Sequence, residues 1–189
     1  MRLFRKHLTP EELGGLIYEH LRTRLASDDP LSITALLERL GRTEPELPEQ
    51  HQGAIMVGVM FGAVLAIERS TSRWIARRIV DGMNKEFAAH LREQGASSQQ
   101  VVDWQQIVVD HSMVYRHTLE GYDESLEPPW KLGRQYLWLI IGAEEYVAAE
   151  IKEATLFLLQ ARDVAQSLMN RYGPSLITDP SSDLYSSPA

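Results

Sequence analysis

The stretch AIMVGVMFGAVLAI, residues 54–67, is the longest unbroken run of apolar residues and glycine in the chain. Its 14 residues are fewer than the roughly 20 that a bilayer span requires, and Glu68 and Arg69 follow it directly. We therefore interpret the run as a helix buried in a protein core, and we expect no membrane span. Because this helix is apolar on nearly every side, other helices must surround it.

Proline positions outside this run set the limits of the longest predicted helices. No proline lies between Pro48 and Pro128 or between Pro129 and Pro174, and a proline in a helix interior breaks or kinks the helix. These spans predict helix over 48–91, with a candidate break near 70–72, over 98–119 and over 129–172. In the last span apolar residues recur at three- and four-residue steps, as on one face of a helix.

The N-terminal part of the chain predicts two more helices. Thr9 followed by Glu12 is a capping-box pattern, and Pro10 is tolerated in a first turn, so a helix begins at Thr9 and ends near 27–30. A short helix follows over 32–40. No strand pattern, internal repeat or sustained heptad is found. The sequence thus predicts an all-α fold, an antiparallel bundle of about four principal helices, two of them very long, plus a short accessory helix.

Chain length and terminal composition predict the domain organisation. The 189 residues suffice for one domain with a hydrophobic core, which we place at 1–172 as a single helical-bundle domain, followed by a polar C-terminal tail at 173–189. The basic N-terminus lacks the apolar segment of a secretory signal. A cytoplasmic location is the default expectation.

The overall composition excludes several classes of function. The chain has no cysteine, which excludes disulfide scaffolds, cysteine-ligated zinc, iron–sulfur clusters and thiol nucleophiles. A net charge of −7 makes a general nucleic-acid partner unexpected, because the phosphate backbone attracts clustered Lys and Arg. The common phosphate-binding, dinucleotide-binding, zinc-protease and serine-hydrolase motifs are also absent.

Small residues recur within the apolar run at Gly58, Gly62 and Ala66. Residues four apart share one face of a helix, and small side chains there let another backbone approach closely. One interpretation is a subunit interface that forms a homodimer. The other is close packing against a helix of the same chain.

Three ionisable residues interrupt apolar stripes on three predicted helices: Glu68, His111 and Glu144. Buried carboxylates need a partner, and two Glu with one His could begin a divalent-metal site in a bundle. The chain lacks the Glu-x-x-His motif of ferritin-like di-metal bundles. The alternative is that the two carboxylates pair with arginines such as those at 69, 73, 134 or 162, and that His111 is a hydrogen-bonded core residue.

Arginines at positions 69, 73 and 77 form a ridge with four-residue spacing, beside Trp74. Such a ridge could bind an anionic partner. The segment 97–128 is acidic, however, and a hairpin turn near 95–98 would bring Arg73 and Arg77 level with Glu120 and His117. Charge pairing within the chain is therefore the alternative.

Together these features favour a non-enzymatic helical-bundle protein that acts through self-association, as a homodimer, or through binding another protein. The alternative is a bundle that binds a metal or small ligand through Glu68, His111 and Glu144. Binding of an anionic partner through Arg69, Arg73 and Arg77 is a third hypothesis. No cofactor is predicted; a divalent metal ion enters only with the alternative.

Overall fold

The computed structural model describes residues 8–26, 29–41, 49–120, 130–141 and 146–173, which form seven α-helices and no strand. The all-α prediction is confirmed for this part of the chain. The predicted tail, apart from Gly173, lies outside the described residues. The helices are α1 (Pro10–Leu25), α2 (Ile33–Arg39), α3 (Glu49–Ser70), α4 (Arg73–Glu93), α5 (Ser98–Thr118), α6 (Trp130–Ile141) and α7 (Ala148–Tyr172).

Local side-chain caps begin several of these helices. Thr9 Oγ1 accepts a hydrogen bond from the Glu12 N–H, and the Thr9 N–H donates to the Glu12 carboxylate, so the predicted capping box is confirmed. Ser97 and Gln100 make the same reciprocal pair at the start of α5. These caps satisfy backbone N–H groups that have no partner inside the helix.

The span 48–91 is interrupted at Thr71 and Ser72, where the candidate break was expected. The Thr71 hydroxyl donates to the Ile67 carbonyl oxygen at 2.8 Å, and Ser72 has an extended backbone with φ −61° and ψ 152°. Hydroxyl groups that bond to the preceding turn compete with regular helix hydrogen bonding. The chain therefore re-enters helix at Arg73.

The expectation of one helix over 129–172 is wrong, because the structure describes two. Val147 is extended, with φ −76° and ψ 152°, and its N–H donates to the Glu150 carboxylate at 3.0 Å. This hydrogen bond stabilises a new helix start at Ala148. The negative charge of Glu150 also interacts favourably with the partial positive charge at the helix N-terminus. The very long C-terminal helix of the sequence prediction is thus α6 and α7.

Helix α3 occupies the centre of the fold and contacts α1, α4, α5, α6 and α7. Its apolar side chains are buried on several faces, as Ile55, Phe61 and Ile67 show. The segment Gly53–Ser70 is long and apolar enough to cross a membrane, but 67% of it is buried within the fold. A helix at the centre of a bundle is apolar on all sides because other helices surround it.

Helices α1 and α4 form the most extensive helix pair of the described structure. Glycine makes their close approach feasible on both sides. A Cβ at Gly14 would collide with the backbone of Ile79, and one at Gly82 would collide with the backbone of Glu11. The absence of a side chain at both positions lets the two backbones touch.

Candidate functional site

Glu68, near the C-terminal end of α3, forms an ion pair with Arg116 of α5. The two Nη atoms of Arg116 donate to the two carboxylate oxygens of Glu68, at 3.0 and 2.5 Å. The pair is partly exposed, with 52% of the Arg116 side chain and 38% of the Glu68 side chain accessible. Glu68 is therefore satisfied by an arginine, as one alternative held, but the arginine is one that the sequence analysis did not consider.

His111 is half-buried on α5, and its Nδ1 atom is buried without a hydrogen-bond partner among the described residues. Burial lowers the pKa of this imidazole, since the charged form loses its hydration. Glu144, the third member of the predicted cluster, lies outside the described residues. Within the described ranges no three His, Asp or Glu side chains are grouped so that they could hold a metal ion.

Gly58, Gly62 and Ala66 lie on buried faces of α3 and contact other helices of the same chain. A Cβ at Gly58 would collide with the ring of Tyr136 in α6, and one at Gly62 would lie 2.6 Å from the Leu158 carbonyl oxygen in α7. Ala66 is 2% exposed. The small residues therefore serve close helix packing within the chain, which was the second of the two interpretations.

Arg69, Arg73 and Arg77 are exposed near the junction of α3 and α4. The expected pairing of Arg73 and Arg77 with the acidic end of α5 is wrong for the described residues, where neither arginine forms an ion pair. The Glu120 Oε2 atom instead lies 3.0 Å from the Nδ1 atom of His117, three residues earlier in the chain. Arg73 and Arg77 thus form no ion pair among the described residues.

These two arginines line a cavity of about 740 Å³ at the junction of α3, α4 and α5. Arg116 also lines it, together with the carboxylates of Glu68 and Asp81. Three guanidinium groups and two carboxylates give this cavity a net positive charge of one. Convergent cations in a concave site are typical of anion recognition.

A second cavity, of about 230 Å³, adjoins the first along α4 and α5, since Val80 and Arg116 line both. We refer to the two cavities together as the α4–α5 groove. The walls of the second cavity are mainly apolar, formed by Met60, Phe61, Val64, Val80, Met83, Val108, Val109 and Met113 with Asn84, Ser112 and Arg116. The groove therefore has a charged end and an apolar end.

Helix α5 carries a second feature, an exposed apolar stripe formed by Val102, Val109 and Met113, of which Val109 and Met113 also line the apolar cavity. These side chains are 57%, 50% and 64% exposed, and steps of seven and four residues place them on one line. The buried residues Val101 and Tyr115 lie on the other side of the helix. This stripe was not predicted from the sequence, although Val102, Val109 and Met113 are spaced so that they lie on the side of the helix opposite Trp104, Val108 and Tyr115.

No protein-family model, no curated protein and no solved structure matches the chain.

Proposed function

We propose that this protein acts through self-association, with two copies pairing along the exposed stripe of α5. The observation that carries the proposal is the exposure of three large apolar side chains, Val102, Val109 and Met113, in one line on a single helix. Apolar groups that share one exposed face mark interaction surfaces more often than scattered ones do. Gln99, Asp103 and Asp110 lie beside the stripe and give it a polar rim of the kind that borders protein interfaces.

An antiparallel arrangement of the two α5 helices is the one that the charges support. Asp103 lies in the first half of α5 and Arg116 in the last turn, so opposite helix directions bring unlike charges closer than equal directions do. The dipoles of two antiparallel helices also interact favourably, which supports the same arrangement. A two-fold axis between residues 107 and 108 then sets Val102 of one copy against Met113 of the other and Gln106 against Val109, as a symmetric interface requires.

Light scattering coupled to size exclusion tests this proposal with the charge-introducing variant Val102→Glu. We expect the wild-type chain to have twice its mass of 21.5 kDa at high concentration, and Val102→Glu to have the monomer mass. Val147→Glu is the matched control, because Val147 is 64% exposed but lies outside the α5 stripe. It should leave the mass of the dimer unchanged.

Cysteine cross-linking tests the direction of the pairing, since the chain has no cysteine of its own. A single cysteine at Gln106, near the proposed axis, should form an intermolecular disulfide under mild oxidation. A cysteine at Ser98, at the end of the stripe, should not. A wild-type protein that stays monomeric at high concentration would overturn the proposal, and so would Val102→Glu with the wild-type mass.

A further inference from the structure

We propose that the α4–α5 groove binds an amphipathic anion with one apolar chain, chemically a fatty carboxylate. The proposal does not rest on self-association. It rests on the juxtaposition of an arginine-lined cavity with an apolar cavity through the two residues Val80 and Arg116. The carboxylate of such a ligand would bind the arginines of the first cavity, and its alkyl chain would contact the apolar walls of the second.

The charged end of the groove fits a head group with a single negative charge. Arg73 and Arg77 are exposed there, and neither is paired with a described carboxylate. Glu68 and Asp81 offset two of the three guanidinium charges, so the cavity is not strongly cationic. A monoanion matches that net charge of one better than a phosphate ester does, because a second negative charge would face two carboxylates.

The apolar end of the groove fits a flexible alkyl chain. Its walls include the methionines Met60, Met83 and Met113, and methionine side chains adapt to irregular apolar shapes. Val109 is half-exposed at the margin of this cavity, so in the single chain the cavity opens along α5, toward the stripe that the proposed self-association would cover. Each methylene group that leaves water for such a site should strengthen binding about two- to fourfold.

Arg116 lies where the two cavities meet, with Glu68 holding its guanidinium. The ion pair fixes the arginine at the boundary between the charged and the apolar walls. A bound carboxylate placed at this boundary would compete with Glu68 for Arg116 and would also reach the arginines of α4. The alkyl chain would then extend past Val80 toward Met83.

Isothermal titration calorimetry with decanoate, below the concentration at which it forms micelles, tests the proposal. We expect saturable binding of one decanoate per chain, with affinity rising from hexanoate through octanoate to decanoate. The double variant Arg73→Ala/Arg77→Ala should weaken decanoate binding about tenfold or more, because it removes two charge-assisted contacts. Lys85→Ala/Arg92→Ala removes the same charge from exposed positions of the same helix and should leave the affinity unchanged.

Three further measurements separate the proposal from its competitors. Decanol, which has the chain but no charge, should bind at least tenfold more weakly than decanoate. Vesicles of phosphatidylglycerol test a lipid surface as the alternative source of the same chemistry. The variant Val102→Glu lies outside the groove. As a monomer it leaves Val109 and Met113 uncovered, so it should bind decanoate at least as tightly as the wild type, and a failure of self-association does not affect this test.

Several results would overturn the proposal. These are the absence of saturable decanoate binding, equal affinity for decanol and decanoate, and wild-type affinity in Arg73→Ala/Arg77→Ala. Binding to phosphatidylglycerol vesicles that depends on Arg73 and Arg77, without binding of free decanoate, would replace the fatty carboxylate by a membrane surface. Circular dichroism melts of each variant verify that a loss of binding is not a loss of folding.

Discussion

Glu11 of α1 and Arg78 of α4 form a bidentate ion pair across the most extensive helix contact of the described structure. The Arg78 Nε and Nη2 atoms donate to the two carboxylate oxygens of Glu11 at 2.6 and 2.8 Å. The guanidinium also stacks over the ring of Trp74 at 4.6 Å. The hydrogen bond from Arg78 lowers the pKa of Glu11, and the carboxylate in turn raises the pKa of Arg78.

This pair predicts a pH-dependent effect of the variant Glu11→Gln. Because the pKa of Glu11 is lower in the folded state, its contribution to stability is present above the unfolded value of 4.5. That contribution is lost as the pH falls through the folded pKa. We therefore expect Glu11→Gln to melt below the wild type at pH 7, and the difference to vanish in strong acid.

A double-mutant cycle with Arg78→Gln isolates the Glu11–Arg78 interaction. Urea denaturation should show coupling between the two positions at pH 7 and none at a pH where Glu11 is protonated. A difference between wild type and Glu11→Gln that stays constant over pH would contradict this assignment. The expected effect is modest, because both side chains are partly exposed.

A second prediction concerns the adjacent glycines Gly14 and Gly15 of α1. We expect substitution by alanine to change the free energy of unfolding in opposite directions at the two positions. Gly14→Ala should destabilise the protein by about 1–3 kcal/mol, since its Cβ would meet the backbone of Ile79 and Met83. Gly15→Ala should stabilise it by about 0.5–1 kcal/mol, because alanine favours helix. Only the Glu86 side chain, at 3.7 Å, lies near the added Cβ at Gly15.

Urea denaturation of the two alanine variants measures these changes directly. The pair is a matched comparison, because both substitutions add one methyl group to adjacent positions of the same helix. Equal effects at the two positions would mean that the backbones of α1 and α4 are not in contact at Gly14.

A third prediction compares the loss of the hydroxyl group from two buried tyrosines, Tyr136 and Tyr115. The Tyr136 hydroxyl donates to the Ile55 carbonyl oxygen at 3.3 Å, whereas the buried Tyr115 hydroxyl has no hydrogen-bond partner in the described ranges. Tyr136→Phe should lower the free energy of unfolding by about 0.5–1.5 kcal/mol. Tyr115→Phe should raise it by about 1 kcal/mol, because the variant removes an unsatisfied hydroxyl.

Thermal and urea denaturation of the two phenylalanine variants measure the contrast. The Tyr115 ring keeps its stacking on Phe61, at 4.7 Å between centroids, so the substitution changes the hydroxyl alone. A loss of stability in Tyr115→Phe would show that this hydroxyl has a partner after all.

Much of the helical structure was predictable, because its signals lie within a few residues of one another. Thr9 and Glu12 are three apart and begin α1, and the apolar run at 54–67 lies at the centre of the fold as α3. The break before α7 was not predicted, since the apolar stripe continues across it. There the carboxylate of Glu150 supports a helix start at a position that periodicity does not mark.

The candidate sites were only partly predictable. Arg73 and Arg77 were recognisable from the sequence as cations on one ridge, but the alternative of charge pairing with the end of α5 does not hold among the described residues. It identified Glu68 without its partner Arg116, which is 48 residues away. Which side chains meet across helices depends on the rotation and crossing of each helix pair, and many such arrangements satisfy the same apolar periodicity.

The sequence by itself determined the all-α class and most helix starts, because caps, breaks and apolar periodicity act over one or two helical turns. Only the tertiary structure decided that Glu68 pairs with Arg116, that Glu11 pairs with Arg78 and that Gly58 and Gly62 face α6 and α7. It also left Val102, Val109 and Met113 on the outside of α5. These outcomes depend on how the seven described helices share one core, and no local stretch of sequence contains that information.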